Sequence, residues 1–133
     1  MVEKGLIKQI LNDFNKILTH KNILGILLFG SYIDGKETNK SDIDICIVAP
    51  NQDAFEILSF IWQNINTSHK KYDVRIFSEL PLHIKIQIIE KGITIYTPNK
   101  YDLFEFFYKY RKIWEDQKHR QYITKDELVR ILW

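Results

Sequence analysis

The 133 residues contain one cysteine, Cys46, so no disulfide can form within the chain. A lone thiol inside an apolar run reads as a small buried hydrophobe. Long hydrophobic runs are also missing: Ile23 to Phe29 is the longest, far short of the roughly 20 residues a membrane helix needs. The start MVEKGLIKQ has no signal-peptide core, and the expectation is an ordered cytoplasmic protein. His20, His69, His83 and His119 are scattered without a second ligand at i+3 or i+4, which argues against zinc. No glycine-rich turn carries the Gly-Lys-Ser/Thr of a P-loop, and G-x-S-x-G does not occur, so neither that phosphate cradle nor serine-hydrolase chemistry is indicated. Charge of one sign is not in excess: the net charge is +2, which favours no polyanionic or polycationic partner. The 45% hydrophobic content is ordinary for a globular chain, and the length fits one domain with a real core.

What is present is a polar connection between two apolar segments, in ILGILLFGSYIDGKETNKSDIDICIVAP. Ile23 to Phe29 and Ile43 to Ala49 read as buried strands, and the linker is too short and too polar for an ordinary crossover helix. An antiparallel return follows. It brings Gly30-Ser31 beside Asp42 and Asp44, and residues i and i+2 of a strand point to one face. At about 4 Å and an effective dielectric near 20, two such carboxylates repel by roughly 4 kcal/mol, which points to a cation between them. Magnesium suits the site, because it prefers oxygen ligands and is held by one or two carboxylates with substrate phosphates. A two-metal site needs a further acid. Asp73 supplies it, in a third strand Lys71 to Phe77 that turns it away from Val74 and Ile76.

The pattern Gly-Ser-x10-Asp-x-Asp followed by a later strand acid resembles the active-site signature of the nucleotidyltransferases related to DNA polymerase β. The short length and leading helix make the chain similar to their minimal bacterial and archaeal members. The resemblance runs from the first helix to about Pro98, and less closely beyond. It implies an α/β (α+β) palm with a mixed, mostly antiparallel sheet of about four strands, flanked by helices and followed by C-terminal helices. It implies a catalytic palm over 1–98 and a helical extension over 99–133, in a single domain spanning 1–133. By position, Gly30 and Ser31 would hold the nucleotide triphosphate, while Asp42, Asp44 and Asp73 would be catalytic and would bind two Mg2+ ions. The activity so implied is transfer of AMP from ATP to a tyrosine of a HEPN ribonuclease toxin, with the chain as antitoxin in a hetero-oligomer that binds neither membrane nor nucleic acid directly. Modification of a small molecule of the antibiotic type, or neutralisation by binding alone, would be the alternatives. The HEPN signature itself, Arg and His with four to six residues between, is missed by Arg111 and His119.

Around this site, residues 3 to 19 carry helical periodicity through Leu6, Ile10, Phe14 and Ile17. A second helix is predicted from Asn51-Gln52-Asp53 to about Asn66, with Phe55, Leu58, Ile61, Trp62 and Ile65 inward. Residues 79 to 90 alternate like a strand, yet Ser78 as cap, Pro81 in the first turn and Lys91-Gly92 as terminator predict a helix. Gly92 to Thr97 reads as a last strand, stopped by Pro98-Asn99. Beyond it, Leu103, Phe104, Phe107, Arg111 and Trp114 form one stripe and Phe106, Tyr110 and Ile113 another, the second offered to a partner unless a terminal helix Thr124 to Trp133 covers it. Lys36, Lys40 and Arg75 are candidate phosphate helpers, and Lys118, His119 and Arg120 read as a solvated patch.

Overall fold

The computed structural model describes residues 4–30, 42–65 and 72–132, with side chains as far as Lys118. The N-terminal periodicity becomes two helices rather than one: α1 (Lys4–Asp13) and α2 (Asn15–His20) meet at Phe14, whose φ of −93° and ψ of 6° leave the helix. The completely buried Phe14 ring stands edge-on to Tyr72 at 5.2 Å, and the Tyr72 hydroxyl donates to Asp13. That packing holds the bend against the sheet.

Strands β1 (Gly25–Phe29) and β2 (Ile43–Val48) pair antiparallel from Gly25↔Val48 to Phe29↔Asp44, as the short connection predicts. Helix α3 (Ala54–Asn64) starts where Asp53 accepts from the Phe55 N–H at 2.9 Å, satisfying an otherwise free donor. It crosses over to β3 (Tyr72–Ile76), which lies parallel to β2. A 3-10 turn (Phe77–Glu79) leads to α4 (Leu82–Lys91), then β4 (Ile93–Tyr96), antiparallel to β1, and α5 (Lys100–Leu132). The sheet order is β3-β2-β1-β4. This is the mixed, mostly antiparallel α/β sheet expected.

Strand periodicity divides the core into two layers. Ile26, Leu28, Ile43, Ile45 and Ile47 face α1, α2 and α3 through Ile10, Ile17, Ile57 and Ile61. Leu27, Cys46 and Val48 face the other way, onto Phe77, Ile86, Ile88, Leu103 and Phe107. Cys46 is fully buried, as its place in the strand suggested.

Three local expectations change. In α3 Ile61 is buried and Leu58 and Ile65 pack on the core as expected, joined by Ile57, while Phe55 and Trp62 stand outside at 72% and 70% exposure. The Asp53 cap fixes the helix phase, and an i,i+4 isoleucine pair then sets the inner stripe. Residues 82–91 are helical, but Ser78 lies in the preceding 3-10 turn and Pro81 occupies the cap position, its carbonyl accepting from Ile84 and Lys85 at 3.0 Å each. Gly92 ends this helix where a Cβ would stand 2.5 Å from the Ile88 carbonyl oxygen. The third change is in α5, which is one helix through Leu132 instead of two. No glycine or proline interrupts its sequence, so the segment from Thr124 continues the helix and does not fold back over residues 101–114. Phe106, Tyr110 and Trp114 turn inward beside Leu103 and Phe107, whereas Tyr101, Phe104 and Tyr108 face out. The Tyr110 ring stands edge-on to Phe77 at 5.2 Å and lies under the Lys85 ammonium at 4.7 Å.

Candidate active site

Antiparallel β1–β2 and parallel β2–β3 pairing bring the C-terminal end of β1 and the N-terminal ends of β2 and β3 to the same edge of the sheet. Asp44 is opposite Phe29 on one side and Asp73 on the other, so all three side chains share the face that carries Cys46 and α4. Parallel pairing is what puts Asp44 and Asp73 directly across from one another. Their carboxyl groups lie within hydrogen-bonding reach.

The pair is electrostatically uncomfortable. Burial, first, and then the charge and hydrogen bond of Asp73 hold the Asp44 carboxyl above the usual carboxylate range; Asp42 adds to the effect and Arg75 opposes it. Arg75 donates from Nε to Asp73 Oδ1 at 3.2 Å, with both side chains exposed to solvent, so this bridge neutralises Asp73 only in part. The candidate phosphate helper Arg75 is thus engaged with the acid of its own strand. Asp42 precedes β2 and is exposed.

Gly30 closes the site. Its φ is +80°, a conformation that L side chains rarely adopt, and a Cβ there would lie 2.0 Å from Asp44 Oδ2. Glycine is required twice over: to reverse the chain after β1, and to leave room for the Asp44 carboxylate. Ser31, Lys36 and Lys40 lie outside the described residues.

Of the predicted acids, the structure therefore joins Asp44 and Asp73 and leaves Asp42 at the margin. Among the described residues no three His, Cys, Asp or Glu side chains converge closely enough to hold a metal ion. The donor set of the joined pair still fits magnesium: two hard oxygen ligands forced together, where a cation would relieve the repulsion that holds the Asp44 carboxyl above its usual range. Sequence reasoning missed the α4 side of this site. Ile84, Gln87, Ile88 and Lys91 border a cavity that reaches Gly30. Their i, i+3, i+4, i+7 spacing was the available signal, obscured by the strand-like alternation of the same segment.

The polymerase beta, nucleotidyltransferase family matches residues 7–101. A protein of Methanocaldococcus jannaschii provisionally named protein adenylyltransferase is 43% identical over 99 residues, 74% of this chain and 75% of that protein. Among solved structures, a chain of a toxin–antitoxin complex with AMP-PNP superposes with a TM-score of 0.64 at 23% identity, covering 88% of this chain and 97% of its own. A chain of a complex between a tri-AMPylated HEPN toxin and an MNT antitoxin from Shewanella oneidensis gives 0.60 at 21% identity, over 92% and 98%. At these identities the structural likeness establishes the fold.

Proposed function

Because the chain belongs to the polymerase beta nucleotidyltransferase family, we propose that it is the antitoxin of a toxin–antitoxin pair and transfers AMP from ATP to a tyrosine hydroxyl of a HEPN toxin. The observation that carries the reading is the Asp44–Asp73 carboxyl pair set against the Gly30 turn. The relative named protein adenylyltransferase and the likeness to complexes of HEPN toxins support the acceptor class.

In this reading Asp44 and Asp73, with Asp42 at the margin, would hold magnesium, which when bound supplies positive charge against the triphosphate. The chain's own groups do the remainder. Gly30 lets the backbone come close to the phosphate oxygens, and Ser31 contributes its hydroxyl. Asp73, hydrogen-bonded by Arg75, would take the proton of the acceptor hydroxyl. The acceptor oxygen bonds to the α-phosphorus, the bond from that phosphorus to the β-phosphate bridging oxygen breaks, and pyrophosphate leaves.

The partner would meet the outward stripe of α5, where Tyr101, Phe104 and Tyr108 expose large apolar surface along one helix face. The experiment is direct: incubate the protein with ATP, magnesium and a candidate HEPN partner, then locate AMP by peptide mass spectrometry. AMP on a tyrosine of that protein is the expected result. Its absence under conditions where the two proteins form a complex would overturn the transfer reading and favour neutralisation by binding.

A further inference from the structure

Beside Gly30 lies an open cavity of about 350 Å³, bordered by the Phe29–Gly30 end of β1 and the Ile84, Gln87, Ile88, Lys91 stripe of α4. It opens on the face that carries Asp44 and Asp73, because Phe29 is the register partner of Asp44. The Phe29 side chain therefore stands between the acids and the cavity. Its size is near the lower end of small-molecule sites, roughly 300–1,000 Å³.

The lining is graded along the helix. Ile84, Ile88 and Phe29 make an apolar slot, Gln87 places one exposed amide on the same stripe, and Lys91 adds a cation at the end nearest Gly30. From Ile84 to Lys91 is seven residues, about 10 Å of helix axis at 1.5 Å per residue. No carboxylate lines the cavity among the described residues. A nucleoside triphosphate has the matching gradation: a flat apolar base with a donor–acceptor edge, then a sugar, then an anionic tail.

We infer that this cavity is the nucleoside subsite, with the base between Phe29 and Ile84/Ile88, the Gln87 amide on its edge as the specificity-determining contact, and Lys91 on the phosphates beside Gly30. The inference rests on the nucleotidyl-transfer reading and supplies the base reader that the sequence alone did not disclose. A glutamine amide can give and take a hydrogen bond at once, which suits the N6 and N7 edge of adenine. Guanine carries an acceptor in place of the N6 donor and pairs with it less well.

Calorimetry with magnesium and three probes tests this: AMP-PNP, GMP-PNP and inorganic tripolyphosphate. Gln87→Ala should weaken AMP-PNP by about tenfold, the scale of one good hydrogen bond, and bring it level with GMP-PNP. Ile84→Trp should fill the slot and weaken both nucleotides, with tripolyphosphate unaffected in either variant. Wild-type AMP-PNP affinity in both variants, alongside loss of all three probes in Gly30→Val, would place the nucleoside elsewhere while keeping the phosphate site. Unchanged AMP-PNP affinity in Gly30→Val would instead remove the nucleotide reading and this inference with it. Photolabelling of the wild-type protein with 8-azido-ATP does not depend on how the variants fold. Label within residues 82–92 or at Phe29 supports the subsite, and label confined to other peptides overturns it.

Discussion

At the scale of single residues, Asp44 carries the clearest consequence. A carboxyl whose pKa is raised in the fold binds its proton more tightly there than in the unfolded chain, where 3.8 is the reference. Its contribution to stability is full below pH 3.8 and is lost as pH rises through the raised value. In magnesium-free buffer Asp44→Asn should therefore melt at or above the wild type near neutral pH, with the gap closing on acidification; thermal melts across that range check it. The same variant should lose roughly 100-fold or more in AMP transfer, the scale for removing a main element of transition-state electrostatics. Gly30→Ala tests the turn without adding bulk beyond one carbon. Strain at φ +80° should cost about 1–2 kcal/mol, and the Cβ must displace the Asp44 carboxylate, so denaturant melts should fall together with transfer. Cys46, fully buried with burial pushing its thiol up to about 12, should resist thiol reagents until the protein unfolds.

At the scale of elements, α5 separates core from surface within one helix. Tyr110 packs on Phe77 and Phe106 at 5.2 Å from each, whereas Phe104 is 61% exposed. Tyr110→Asp should therefore destabilise the isolated protein by about 1–3 kcal/mol, because the ring contacts of this half-buried side chain are lost while Lys85 stays close to the new carboxylate. Phe104→Asp should leave its melting temperature nearly unchanged and break co-purification with the proposed HEPN partner. A Phe104→Asp variant that still co-purifies would move the partner surface away from α5, with the exposed Phe55 and Trp62 of α3 as the other large apolar ground. Phe77→Ala, at the centre of the aromatic cluster, should cost about 3–5 kcal/mol in denaturant melts.

At the scale of the whole molecule, the expected division into a palm and a helical extension meets a physical test. Leu103 and Phe107 are buried in the layer that covers Leu27, Cys46 and Val48. A chain ending at Pro98 loses both and uncovers part of that face, leaving only Phe77 and α4 over it. It should be expanded, aggregation-prone and without a cooperative melt, measured by calorimetry and dye binding; a two-state transition in residues 1–98 would make the palm an independent unit. Among the described residues no helix is long and apolar enough to cross a membrane.

Much of this was legible in the sequence because its information is local. A period of two sets which strand residues share a face, which is why Asp44 and Asp73 could be placed toward one site from their strands alone. A glycine at a reversal and an Asp before a helix are likewise read from neighbours, and Gly30 and Asp53 stand where those signals put them. What the sequence could not determine is phase and register between elements. Periodicity offers two stripes on α5, and Phe77 takes Phe107 from one and Phe106 and Tyr110 from the other, leaving Phe104 and Ile113 outside; in α3 the sheet takes Ile57 with the expected Ile61 and leaves Phe55 and Trp62 out. The parallel β2–β3 pairing that sets Asp44 across from Asp73, and the cavity that α4 borders with Phe29, likewise exist only once separate segments have met. Burial of a shared apolar surface decides such matters, and that surface belongs to the assembled fold, to no single stretch of chain.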